Sequence, residues 1–151
     1  MKSYSLQQAK SIIQKVCEMT GKGAFPTRES FIEYIDRNTH IAIQGYNPYG
    51  KIFLWNTASS HLYGYRESEA INQDIIELII PPEMRAFARS AIATAQRTGR
   101  MPDPGFYDLL HCKGHFVTVY SGHLFFSWDD ATMPEFYCID LPIDSDALQT
   151  L

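Results

Sequence analysis

Residues 47–69 read NPYGKIFLWNTASSHLYGYRESE, and the parts of this stretch interlock. Asn47-Pro48-Tyr49-Gly50 forms a tight-turn tetrad: Asn suits the first position, Pro presets φ at the second, and Gly suits the fourth. Lys51 to Trp55 then alternates as a strand, which predicts Ile52 and Leu54 on one face and Phe53 and Trp55 on the other. Asn56 follows as a helix N-cap, because its side-chain oxygen accepts from an orphan N–H of the first turn. The short helix it starts, Thr57 to Tyr63, stops at Gly64.

Working outward from this stretch, Ser5 and Gln8 form a capping-box pair ahead of a helix. That helix carries Ala9, Ile12, Ile13, Val16 and Cys17 on one stripe and ends at Thr20-Gly21. Pro26-Thr27 starts a second short helix with Phe31, Tyr34 and Ile35 as its apolar face. His40 to Tyr46 reads as the first strand. Downstream, Glu67 to Ile71 reads as one helical turn, and Pro81-Pro82-Glu83 opens a long helix. Its apolar stripe is Met84, Phe87, Ala88, Ala91, Ile92 and Ala95, and it ends at Gly99. Strands Phe106 to Cys112 and His115 to Trp128 flank a two-residue turn at Lys113-Gly114. Asp129 to Thr132 is a loop, and Glu135 to Leu141 is the last strand. Strands grouped at both ends with helices between predict an α+β domain around an antiparallel sheet.

The order strand, cap, short helix, Gly-Tyr and acidic residue resembles the front half of a PAS domain. Gly50, Asn56, Ala58, Gly64, Tyr65 and Glu69 stand where that family's pattern has them. The likeness spans His40 to Pro142, giving residues 1–39 as a helical extension, 40–142 as the PAS-like unit, and 143–151 as the start of a linker. It implies a five-stranded sheet of order 2-1-5-4-3 with helices on one face, and a short helix over Asp74 to Ile80. Two departures stand out. Asn72 replaces a Gly, and Asn tolerates positive φ. The last strand ends Asp140-Leu141-Pro142, and proline disfavours a helical residue before it. That disrupts a continuous helical exit, though a helix can restart at Ser145.

The resemblance implies a sensory and dimerisation module of a bacterial signalling protein that binds a small molecule in its cup, with an output domain or partner beyond it. The flavin photosensors of this family carry a reactive Cys where this chain has Asn72-Gln73-Asp74-Ile75-Ile76-Glu77, which argues against cysteinyl-flavin chemistry. Many haem-binding members take an axial His from the long helix, and Met84 to Arg97 contains none. The cofactor is therefore left open.

Composition agrees with a globular domain: 151 residues, 45% hydrophobic, 20% charged and net charge −4. With no Lys/Arg-rich run, the sequence shows no nucleic-acid footprint. Cys17, Cys112 and Cys138 are odd in number and not closely paired, which argues against a disulfide framework. No apolar run reaches membrane-span length, and the N-terminus lacks a signal-peptide core. The expected location is the cytoplasm.

His111, Cys112, His115 and His123 invite a zinc reading. In a two-residue hairpin Cys112 faces His115, His111 lies on the other face, and His123 is about 25 Å along the strand. Four ligands do not converge, so no metal is expected. The same parity places Phe106, Asp108, Leu110, Val117, Val119, Ser121, His123 and Phe125 inward. The candidate ligand pocket is then Asp108, Ser121 and His123 with Leu54, Phe87 and Ile92. Tyr107, Leu109, Phe116 and Tyr120 would face outward, covered either by the Ile13 and Val16 face of the first helix or by a second copy, with a homodimer favoured. Trp55 reads as sheet-to-helix packing rather than ligand stacking. Arg85, Arg89 and Arg97 read as a solvated helix face, with an acidic partner as the other option. The contrasting reading is a small α+β-cone isomerase or hydrolase using Asp108 or His123 as general base. It lacks a nucleophile elbow or a phosphate-cradling Gly loop, and its family groups the strands together.

Overall fold

In the computed structural model, which describes residues 3–21, 27–128 and 133–144, the expected capping residues start the helices that follow them. Gln8 N donates to Ser5 Oγ, and Ser5 N donates to Gln8 Oε1, ahead of α1 (Leu6–Gly21). Thr27 and Ser30 cap α2 (Arg28–Arg37) reciprocally. Asn56 Oδ1 accepts from Ser59 N at the head of α3 (Thr57–Tyr63), which ends at Gly64. Short α4 (Glu67–Ala70) and α5 (Ile75–Ile79) follow; Asn72 between them adopts φ 71°. Pro82–Met84 makes one 3₁₀ turn before α6 (Arg85–Thr98).

The strands are β1 (Ala42–Tyr46), β2 (Ile52–Trp55), β3 (Gly105–Leu110), β4 (Phe116–Phe126) and β5 (Glu135–Pro142), in one antiparallel sheet of order β2-β1-β5-β4-β3. Helices α3 to α6 lie on one face and enclose the inner core around Ile52, Trp55, Leu62, Tyr63, Ile76, Ile79 and Phe136. On the outer face α1 and α2 cover Ile43, Tyr120, Leu124, Tyr137 and Ile139. Glu135 ties α2 down: it accepts from Arg28 Nε, Trp128 Nε1 and the Tyr137 hydroxyl. The chain leaves β5 paired with its own N-terminus, Tyr4 N donating to Pro142 O and Asp144 N to Tyr4 O. The loop read at residues 129–132, and the linker and helix restart read beyond Asp144, lie outside the described residues.

Two expectations about side-chain direction are corrected. The β1–β2 register shifts at Gly45/Tyr46, so strict alternation fails: Ile52 and Trp55 both point inward, and Phe53 and Leu54 both pack outward. The β3–β4 connection is a three-residue loop, not a two-residue one. His111 N bonds to His115 O, and Gly114 sits at φ 93°, the left-handed position that closes such a loop. One extra loop residue reverses β3 relative to β4. Tyr107 and Leu109 therefore join Val117 and Val119 on the inner face, while Phe106 stacks edge-on against Tyr120 on the outer face. Of the two covers expected for the outer face, α1 of the same chain is present, with Ile13 and Val16 buried over Tyr120; Phe116 stays 54% exposed.

Gly122 is the seat of α1. A Cβ there would stand 2.6 Å from Ile13 Cγ2. Gly122→Val is expected to cost about 2 kcal/mol through overpacking and to open residues 6–21 to protease. Combining it with Ile13→Ala is expected to recover part of that loss in a denaturation series. Simple addition of the two losses would mean that α1 does not seat there.

Candidate functional site

A cavity of about 370 Å³ lies between the inner face of β3, β4 and β5 and the α5–α6 wall. Its apolar lining follows from the amphipathic stripe of α6 (Met84, Phe87, Ala88, Ala91, Ile92), with Ile76 and Ile79 from α5. The wall is fastened from outside. Arg85 Nε donates to Ile80 O and its guanidinium pairs with Glu77, while Arg89 pairs with both Asp74 and Glu77. These arginines staple α6 to α5, so the partner for their charge is within the chain.

Polar groups gather on the sheet side. Strand pairing sets Ala42, Asp140 and Ser121 in one row across β1, β5 and β4, and Gln44, Cys138 and His123 in the next row on the same face. Asp140 is 1% exposed, and its carboxylate accepts from Ser121 Oγ and from the Tyr63 hydroxyl, each at 2.6 Å. Cys138 Sγ lies 3.7 Å from the Tyr46 hydroxyl. Gln44 Nε2 donates to Ser59 Oγ, whereas its Oε1 finds no partner. His123 is mostly buried against the Tyr107 ring, and its Nδ1 is likewise buried without a partner.

These environments shift proton equilibria in stated directions. Burial drives the His123 pKa from 6.5 down to about 4; a hydrogen bond to the Pro102 carbonyl opposes this only in part. The ring is therefore neutral at pH 7, and its Nδ1 is buried without a partner. Burial raises Asp140, and the bonds from Ser121, Tyr63 and Gln44 offset this incompletely. Tyr63 and Tyr46 are raised well above the ordinary phenol value, first by burial; for Tyr63 the Asp140 charge adds to it.

Of the six residues expected in the pocket, Ser121, His123, Phe87 and Ile92 line this cavity, with Phe87 51% exposed at its mouth. Leu54 does not: the β2 bulge turns it to the outer core. Asp108 touches the cavity only from the β3 edge; it is exposed and accepts from the Thr118 hydroxyl, having moved faces with the one-residue loop change. Asp108 and His123 thus do not share a face, which removes the paired setting imagined for a general base. Of the expected outer cover residues, Tyr107 and Leu109 line the cavity from its inner face and the exposed Phe116 lines it from the β3–β4 edge, while Tyr120 lies under α1. Trp55 packs on Tyr63 and donates from Nε1 to Tyr65 O, away from the cavity. His111 and His115 stack at the hairpin end, and no trio of His, Cys, Asp or Glu among the described residues is placed to hold a metal ion.

Sequence reasoning missed Asp140, Cys138, Tyr46 and Tyr107 as cavity residues. Asp140 had left a signal: one carboxylate inside the apolar run Phe136 to Leu141 has to be paired, protonated or functional.

A family model described as PAS fold matches residues 30–108, just over half of the chain. Comparison with curated proteins finds no match. Among solved structures, a PAS domain of a Colwellia psychrerythraea protein is similar at a TM-score of 0.62 and 24% identity, covering 76% of this chain and 95% of that one. A PAS domain from Desulfitobacterium hafniense gives 0.60 at 16% identity, over 74% and 99%. The PAS domain of the Cronobacter turicensis quorum-sensing receptor RpfR, in complex with C12:0, gives 0.54 at 18% identity, over 71% and 97%.

Proposed function

The chain belongs to the PAS fold family, and from that premise we propose that its cavity is the sensory site of a signalling protein, filled by one small, largely apolar molecule. The observation that carries this reading is the cavity itself: about 370 Å³, walled by α6 and closed by a sheet face that holds unsatisfied polar atoms. A volume of that size with an apolar lining and a few convergent polar groups is what a ligand site requires. The RpfR PAS domain, similar in fold, is in complex with C12:0, which supports an apolar occupant. We take residues 40–142 as the sensing unit and 1–39 as an extension that α1 folds back onto it.

In the same reading a homodimer passes cup occupancy to an output partner. Its support is Phe106 and Phe116, exposed on the outer side of the β3–β4 edge, and sedimentation over a concentration series reads the assembly directly. Cys17, Cys112 and Cys138 form no disulfide with one another, which fits a reducing, cytoplasmic compartment. The exposed, Thr118-bonded Asp108 offers no support for the isomerase or hydrolase alternative.

Native mass spectrometry and an absorption spectrum of freshly purified protein test the occupied cup. A bound mass is expected, or a compound from a screen that raises Tm. Ala91→Phe, which fills the cavity from α6, is expected to abolish that response while leaving the unliganded fold intact. An empty cup that no compound stabilises would sink the reading.

A further inference from the structure

We infer that the cup selects a small apolar amine: a molecule whose hydrocarbon body fills the α6 side and whose single protonated nitrogen faces Asp140 and His123. The inference rests on the proposed ligand site and names what that site takes. Three features carry it. First, the charged residues lining the cavity are Glu83, Asp108 and Asp140; no lysine or arginine lines it, and no basic side chain pairs with Asp140 among the described residues. An anionic head would enter a site with carboxylates and no counter-charge. Second, His123 lines the cavity with its buried Nδ1 unpartnered, and outside the lining, behind Cys138 in the same row, the acceptor Gln44 Oε1 is unpartnered too. Buried acceptors without partners call for a donor. Third, Ser121 and Tyr63 each give one proton to Asp140 and Gln44 adds a further bond, so of a carboxylate's roughly four acceptor sites one is left for a ligand.

An ammonium group meets these demands together. It brings the missing positive charge and three N–H donors, whereas a hydroxyl brings one donor and no charge. Asp140 and His123 are diagonal neighbours on one face of the paired β4 and β5 strands, a spacing that one head group bridges. The bare Nδ1 belongs to a ring that stays neutral at pH 7, so it does not repel the cation.

The test uses three probes with one hydrocarbon body: octylamine, 1-octanol and octanoate, titrated calorimetrically into the intact chain at pH 7.5. Octylamine is expected to bind about tenfold more tightly than 1-octanol, and octanoate not to bind measurably. Asp140→Asn keeps the side-chain shape and is expected to bring octylamine down to the level of 1-octanol while leaving 1-octanol unchanged. If that variant does not fold, as judged by near-UV circular dichroism, the wild-type series decides alone. Octanoate binding as tightly as octylamine would overturn the inference and leave the sensory cup standing, as would an Asp140→Asn variant that keeps the amine preference. Failure of all three probes to bind would remove both the amine inference and the apolar-ligand reading.

Discussion

Lowering the pH from 6.5 to 4 is expected to remove about 3 kcal/mol of folding stability through His123 alone, and His123→Phe is expected to abolish that component. The histidine titrates near 6.5 in the unfolded chain and at about 4 in the fold. Its folded pKa is the lower one, so between these values the unfolded chain binds the extra proton and the native state does not. Stability from this group is complete above pH 6.5 and drains away as the pH falls through the window. A fall from 6.5 to about 4 is worth about 3 kcal/mol. Asp140 works with the opposite sign. Its folded pKa is raised above the ordinary carboxylate value of 3.8, so the stability of its protonated form is present below 3.8 and lost as the pH rises through the folded value. Because the two groups act with opposite sign, the wild-type curve alone does not isolate His123. The informative quantity is the difference between wild-type and His123→Phe unfolding free energies, measured by urea denaturation at half-unit steps from pH 7 to pH 4. That difference should shift in favour of the variant as the pH falls. Parallel curves would show that His123 is solvated in the fold, and its bare Nδ1 would then lose its meaning for the cup. Phe suits this test because it keeps a ring against Tyr107 while removing the titrating nitrogens.

The sequence made the scaffold legible because its signals were local. Asn56, Gly64 and the Ser5–Gln8 and Thr27 caps each act within four residues, and the structure places every one of them at a helix end. The sheet order came with the resemblance. What failed was phase. Reading side-chain direction along β3 from the hairpin requires the loop length to the residue, and Cys112-Lys113-Gly114 closes the loop where Lys113-Gly114 alone was expected. That single residue moved Asp108 out of the cup and Tyr107 and Leu109 into it, while β4, whose phase was set by Val117 and Val119, kept Ser121 and His123 inside. The β2 bulge is the same kind of error on a smaller scale: an extra residue opposite Gly45/Tyr46 leaves no compositional mark, yet it turns Leu54 away. Asp140 was overlooked for a different reason. Its importance comes from Ser121 and Tyr63, which are 19 and 77 residues away in sequence and reach it only through strand pairing and α3 packing.

Trp55→Ala is expected to cost about 4 kcal/mol of folding stability. Trp55 is 1% exposed and packs between the Tyr63 and Tyr65 rings at centroid distances of 5.8 and 6.4 Å. Its indole N–H satisfies the Tyr65 carbonyl just beyond the Gly64 turn, so the side chain both fills the inner core and fastens the turn after α3 to β2. Truncation opens a void in that core and leaves a carbonyl unpaired. Trp55 has its inward direction only because of the bulge that turns Phe53 and Leu54 outward, so this prediction also tests the corrected phase of β2. Trp55→Phe separates volume from hydrogen bond: it keeps a ring, loses the donor, and is expected to cost about 1.5 kcal/mol. A ligand-stacking role makes a different forecast. Under it, Trp55→Phe would weaken binding of any cup ligand while barely moving the urea midpoint. A midpoint shift with unchanged affinity for the same ligand identifies Trp55 as the brace of the stretch from Asn47 to Glu69, and not as part of the cup.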